Sequence, residues 1–172
     1  LHRGMDLKPD FTVIRSLFRF GLPTGVQGIT MNIGGILMLR FMGSLEHSAA
    51  SQAAYTVAYT QLFSLITWSS NGLMAAAATI AGQNLGAGNP DRAEQGVWIA
   101  ARMGLVAAAV VGALFVFVPS LLLGIFAMKD PFAASIGEQL LRYLTVSGFF
   151  VTLALSYTGG LQGTGGTKSP LY

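Results

Sequence analysis

Four long stretches of this chain contain no Asp, Glu, Lys or Arg: residues 20–39, 47–90, 103–128 and 143–167. Each reaches the roughly 18–20 residues that an α-helix needs to cross the ~30 Å hydrocarbon core of a bilayer. The 172 residues are 52% apolar and only 10% charged, whereas soluble domains average about 25% charged. Ten basic and seven acidic side chains, clumped between such stretches, cannot cover the surface of a water-facing domain. In hydrocarbon, a lone segment satisfies its backbone N–H and C=O groups only by coiling into a helix. The expected fold class is therefore an all-α polytopic membrane protein with four transmembrane helices.

The spans follow from the breakers between these stretches. Residues 1–20 read as a polar linker with Pro9, then Asp10 as a helix cap. Phe11, Ile14, Leu17 and Phe18 follow on one face, with Arg15 and Arg19 on the other. That pattern fits an amphipathic helix lying on the membrane surface, or the first turns of the span that follows. The membrane part is 21–172. Its first span is expected at about 21–42, with Pro23 near the start, where a missing N–H is tolerated. The second, at about 49–81, is longer than a bilayer needs and ends at GQNLGAGNPD. There Asn89 is the expected N-cap, with Pro90 in the first turn. A third span at about 96–126 contains Pro119 and a predicted kink. The fourth, at about 132–163, starts at Lys129-Asp130-Pro131 and ends at GTGGTKSP.

The basic residues set an orientation. Arg3, Lys8, Arg15, Arg19, Arg92, Arg102 and Lys168 fall on one side, against Arg40, Lys129 and Arg142 on the other. The excess marks the cytoplasmic side, so the N-terminus and the GQNLGAGNPDR loop are expected there, in the inner (plasma) membrane. The net charge of +3 is spread around the spans rather than gathered in a patch, so nucleic acid is not an expected partner. The lipid bilayer is.

Gly is 22 of 172 residues. Ala100, Gly104, Ala108 and Gly112 recur every four residues, as do Gly159 and Gly163, and such rows let membrane helices approach closely. A second row, Thr56, Thr60, Ser64, Thr67 and Asn71, carries hydroxyls and an amide, and Thr145, Thr152 and Ser156 form another. Polar groups in hydrocarbon must be paired or face a cavity. Two readings stay open: hydrogen bonds between helices, or a mildly polar cavity. A cavity of amides, hydroxyls and aromatic rings would suit a small amphipathic or cationic molecule.

Other chemistry finds no support. With no Cys there is no disulfide, thiol nucleophile or thiolate metal site. His2 and His47 fall in a tail and a loop, and no metal site or catalytic set is expected. GQNLGAG lacks the lysine of a phosphate-binding loop and follows no strand. The chain is read as not an enzyme. No Asp or Glu lies in the middle of a span, so a coupling carboxylate would have to lie elsewhere.

At the second loop the motifs become recognisable. GQNLGAGNPDRA (Gly82–Ala93) resembles the cytoplasmic loop between the second and third helices of a lobe in multidrug and toxic compound extrusion (MATE) transporters. GLPTGVQ (Gly21–Gln27) resembles the opening of a lobe's first helix, and GGLQGTGGTKSP (Gly159–Pro170) the end of its fourth. The resemblance implies two six-helix lobes that export drugs or metabolites in exchange for protons or sodium. This chain would supply the first four helices of one lobe. The leader DLKPDFTVIRSLFRFGLP resembles the linker before the C-terminal lobe. Where some sodium-coupled members carry Glu and Asp, this chain has apolar residues near Met31 and Val151, which favours protons. The coupling ion, H+ or Na+, would be bound outside the fragment, and no other cofactor is expected.

The expectation is thus a secondary active multidrug or metabolite efflux transporter working by alternating access, partnered by the remainder of the same transporter chain. Its substrate cavity would be lined partly by Gln27, Asn32, Gln61, Trp68, Asn71 and Tyr157. Gly82, Gln83, Gly86 and Gly88 would form the cytoplasmic turn, with Arg92 beside it at the membrane surface. The alternatives are a lipid-linked oligosaccharide flippase of the wider superfamily and a non-transporting four-helix scaffold. The flippase would need mid-span cations that are absent here.

Overall fold

The computed structural model describes residues 11–165, apart from the side chains of Phe20 and Thr24, and it contains no strand among them. Its elements are α1 (Phe11–Gly43), α2 (Ser48–Tyr55), a π-helical segment (Thr56–Leu62), α3 (Ser64–Gly86), α4 (Pro90–Phe117), α5 (Pro119–Ile125) and α6 (Pro131–Gly163). Arg3, Lys8, Asp10 and Lys168 lie outside the described residues.

Helices α3, α4 and α6 form the centre. Along α3, Ile66 meets Gly148 of α6, Ser70 meets Thr152, Met74 meets Gly159 and Ala78 meets Gly163. Both sequences advance together, so α3 and α6 run parallel. Helix α4 runs against them, with Gly96 on Ile80, Gly104 on Leu73 and Thr152, and Gly112 on Thr145. The expected small-residue rows lie in these seams: Ala100, Gly104, Ala108 and Gly112 are all buried, and so is Gly159. A Cβ built on Gly159 or Gly163 would fall within 3.0 Å of the backbone of Met74 or Ala78. Helices this close gain many dispersion contacts, which is the main attraction left where lipid is as apolar as Leu.

The buried set is small and the outer set is large. Trp68 is 78% exposed and Phe117 81%, while Ala77, Ala81, Ser70, Thr152 and Ser156 are buried. Leaving a large apolar side chain in water forgoes about 1.5–3 kcal/mol, and dozens on one surface call for lipid or further helices to cover them. Helices α4 and α6 are long and apolar enough to cross a membrane. By the same measure α1 and α3 fall short, because polar and small residues dilute them: Gln27, Asn32 and five open glycines in α1, and Ser69, Ser70 and Asn71 in α3.

Several element bounds differ from the sequence reading. Helix α1 is continuous from Phe11 to Gly43 and carries Pro23 inside it, so among the described residues no separate surface helix precedes the first span. Nothing between Phe18 and Pro23 forces a break, and a proline can be carried within a membrane helix. The second span is two α-helices joined by a π-helical turn, and it continues past residue 81 to Gly86. The third divides at Val118 (φ −133°, ψ 41°), because Pro119 disfavours the α-region for the residue before it.

The caps also divide. Asp130 accepts a hydrogen bond from the N–H of Phe132 at 3.0 Å and starts α6. Asn89 holds the equivalent position before α4, but its side chain caps nothing. It turns back instead and donates to the carbonyl of Ala87 at 3.3 Å.

Candidate functional site

The second span departs from α-helical geometry at Thr56–Leu62. Phe63 N–H donates to Ala58 O at 2.9 Å, five residues back. A π-turn holds one more residue than an α-turn. Each residue of an α-helix accounts for about 100°, so everything after the turn is rotated by about that angle. Three aromatic rings run along this segment, from Tyr55 before it to Phe63 after it. Tyr55 and Tyr59 stack at 4.9 Å with planes 15° apart, and Tyr59 and Phe63 at 5.6 Å and 24°. Phe63 is anchored in the apolar core with Leu62, Ile66, Phe115 and Leu144.

Tyr55 and Tyr59 of this ladder form one wall of an open cavity of about 770 Å³ between α1, the end of α2, the π-helical segment and α6. Its polar groups are Asn32 on α1 and Tyr55, Tyr59 and Thr60 opposite; Met31, Met38 and Leu144 are among the apolar ones. Among the described residues, no charged one lines it. Such a volume suits a small organic molecule. The Asn32 side chain donates to Gly28 O at 2.8 Å, which fixes the amide and leaves its oxygen as an acceptor.

The six expected lining residues do not gather in one place. Asn32 lines the cavity just described. Tyr157 lines a separate groove of about 300 Å³ with Trp98 and Glu94, where α3 ends, α4 begins and α6 ends. Gln27, Gln61, Trp68 and Asn71 line neither. The π-turn breaks the three-to-four spacing on which the row Thr56, Thr60, Ser64, Thr67 and Asn71 was reckoned. Thr60, before the end of the turn, faces the cavity. Beyond it, Asn71 is exposed and donates to Thr67 O within its own helix, and Trp68 lies on the outer surface.

Of the two readings for the hydroxyls, most bond to carbonyls three or four residues back, as Ser64 does to Gln61 O and Thr67 to Ser64 O. One buried pair bridges helices: Ser70 Oγ and Thr152 Oγ1 share a hydrogen bond of 2.8 Å. Thr145 also reaches across, to Gly112 O at 3.5 Å. Ser70 and Tyr55 are the residues that sequence reasoning missed. The Tyr55, Tyr59, Phe63 spacing of four was a legible signal for the ladder. Ser70 lies off the polar row and had none.

The loop motif does several jobs. Gly88 has φ +75°, which favours glycine. With the bonds Asn89 N–H to Asn84 O and Gly88 N–H to Leu85 O, it closes α3 in a Schellman motif. Gly82 does not shape the turn: it lies inside α3, where a Cβ would come within 2.9 Å of Gly163 O. Gly86 ends α3 and faces open space. Gln83 supplies its carbonyl to Ala87 N–H. Arg92 is exposed on the first turn of α4, and Arg102 lies over the Trp98 ring at 5.2 Å.

Comparison with known proteins bears on this arrangement. The family model described as MatE matches residues 23–172. No curated protein and no solved structure was found to match the chain.

Proposed function

Because the chain belongs to the multidrug and toxic compound extrusion (MATE) family of membrane transporters, we propose that it forms the first four helices of one lobe, the C-terminal one, of an exporter of small amphipathic molecules. The observation that carries this reading is the 770 Å³ cavity beside the π-helical turn. It joins a peripheral helix, α1, to the packed unit of α3, α4 and α6. Of the α1 residues with described burial only Met42 is buried, and a shift of α1 against that unit is the proposed motion. Rocking of packed units around a site is how alternating access proceeds in transporters built from repeats.

Protons are the proposed driving ion, bound outside these four helices. The absence of a charged residue from the cavity lining supports this, as does the place of Glu138, which accepts from Ser120 Oγ at 2.7 Å at the α5–α6 junction. The end bearing Gly88, Arg92 and the close of α6 is proposed to face the cytoplasm. Arg102 over Trp98 has the form of an interfacial anchor on that side.

The test is transport by the complete transporter in liposomes, with a fluorescent amphipathic dye as cargo. Dye movement under an imposed pH gradient, and none under a sodium gradient, is expected. If neither gradient moves any dye, the exporter reading fails. If sodium alone drives it, the assignment of the ion fails.

A further inference from the structure

Helix α4 carries a row of opposite charges outside the cavity. Glu94, Trp98 and Arg102 recur at intervals of four, which makes them neighbours along one strip of the helix surface, and all three are exposed. Glu94 lies just over one turn from the helix start at Pro90. Arg102 is deeper, about 12 Å further along the axis. It reaches back over the Trp98 ring, 5.2 Å from its centre, which brings the two charges nearer to each other. Among the described residues neither Glu94 nor Arg102 forms an ion pair or a hydrogen bond. Asp91, one turn nearer the helix end, reinforces the negative pole, whereas Arg92, two residues before Glu94, does not share the face. Inward the strip continues with Val106, Val110 and Leu114, all exposed. Beside it runs the groove of about 300 Å³ shared with α6, whose polar lining is Glu94, Trp98, Tyr157 and Thr164. Contacts of Val97 with Gly160, Gly104 with Thr152 and Gly112 with Thr145 fix the antiparallel register. That register sets Tyr157 between the levels of Trp98 and Arg102, and Thr164 near that of Glu94.

We propose that this strip binds one zwitterionic phospholipid. Its ammonium lies on Glu94, its phosphate on Arg102 and the Tyr157 hydroxyl, and an acyl chain along Val106, Val110 and Leu114. Headgroups lie outside the hydrocarbon core, and in such a lipid the ammonium is terminal while the phosphate joins the glycerol. From water inward the order is therefore ammonium, phosphate, acyl chain. The strip presents a carboxylate, a guanidinium and apolar side chains in the same order. An anionic phospholipid without an amine offers Arg102 the same phosphate but sets no cation against Glu94. The match holds for either orientation of α4, because Glu94 is nearer water in both, and it uses neither the cavity nor the driving ion.

The probes are phosphatidylethanolamine and phosphatidylglycerol, each with a diazirine near the top of one acyl chain. The complete transporter is placed in vesicles of equal parts of the two lipids, with the diazirine on one or the other. Labelling of the α4 peptide, relative to the rest of the protein, is read by mass spectrometry. The ethanolamine lipid is expected to label α4 about three- to fivefold more than the glycerol lipid, as an exposed ion pair implies. Glu94→Gln should bring the ratio to about one, and Glu94→Lys should reverse it. Arg102→Gln should lower labelling by both lipids about threefold. Both side chains are exposed, so these changes leave the packed seams intact. A wild-type ratio of one or less overturns the proposal, and so does a ratio that both Glu94 variants leave unchanged. Labelling of α4 by neither lipid overturns it as well, since protein would then cover the strip. Unchanged labelling in Arg102→Gln overturns the placement of the phosphate. The lipid preference without dye transport would uphold this site and overturn the exporter reading; dye transport without the preference would do the reverse.

Discussion

Ser70 of α3 and Thr152 of α6 share a hydrogen bond of 2.8 Å, with both side chains buried. Thr152 also packs its methyl against Gly104 of α4, and its carbonyl accepts from Ser156 Oγ at 2.9 Å. One contact thus ties the three central helices at a single level. Polar bonds between membrane helices average about 0.6 kcal/mol in double-mutant cycles. Ser70→Ala and Thr152→Val should each lower stability modestly. Their coupling in a double-mutant cycle, read from thermal unfolding in detergent, is expected near that value. A coupling of zero would mean the bond contributes nothing to holding the bundle together.

The α3–α6 seam should be far less tolerant. A methyl on Gly159 meets the backbone of Met74, which cannot move without its helix. Gly159→Ala is therefore expected to destabilise by about 1–3 kcal/mol, the usual range for overpacking. Gly35 on α1 has nothing within 4 Å of its would-be Cβ. Gly35→Ala should be neutral, or stabilising by up to about 1 kcal/mol, because alanine loses less entropy in a helix. Equal melting temperatures for the two variants would contradict the close approach.

Two cap positions that look alike in sequence should respond differently. Asp130→Ala removes a bond to Phe132 N–H and should cost about 1 kcal/mol. Asn89→Ala removes no cap and should change stability by less than about 0.5 kcal/mol. Chemical unfolding of the two variants side by side checks the difference.

Deleting Gln61 should convert the π-turn to an α-turn, since an exposed residue is taken from the one place where the helix holds an extra one. Stability is expected to hold within a few degrees of melting temperature. The Tyr59–Phe63 stack would be lost, and transport of the dye should fall by more than about tenfold. Wild-type transport from the deletion variant would remove the π-turn from the mechanism.

These 172 residues contain no Cys, so a single cysteine introduced among them, with any elsewhere in the transporter replaced by serine, reports topology. Asn89→Cys should react with a membrane-impermeant maleimide only from the cytoplasmic side, and Lys129→Cys only from the opposite side. The reverse pattern would invert the proposed orientation.

Charge placement and breakers made much of this protein legible in its sequence. The helical class, the cap at Asp130 and the small rows at Ala100–Gly112 and Gly159–Gly163 all follow from local rules: hydrocarbon demands helices, proline and glycine stop them, and small residues mark seams. Which seam each row enters was not legible, because that depends on partners far along the chain, as with Gly163 against Ala78. The facing of the second span's polar row was not legible for a sharper reason. A 3.6-residue period assumes an unbroken α-helix, and the π-turn at Thr56–Leu62 shifts the phase of every later residue. Tyr59 and Thr60, inside that segment, line the cavity, while Asn71 beyond it is exposed, and only the tertiary structure decides this.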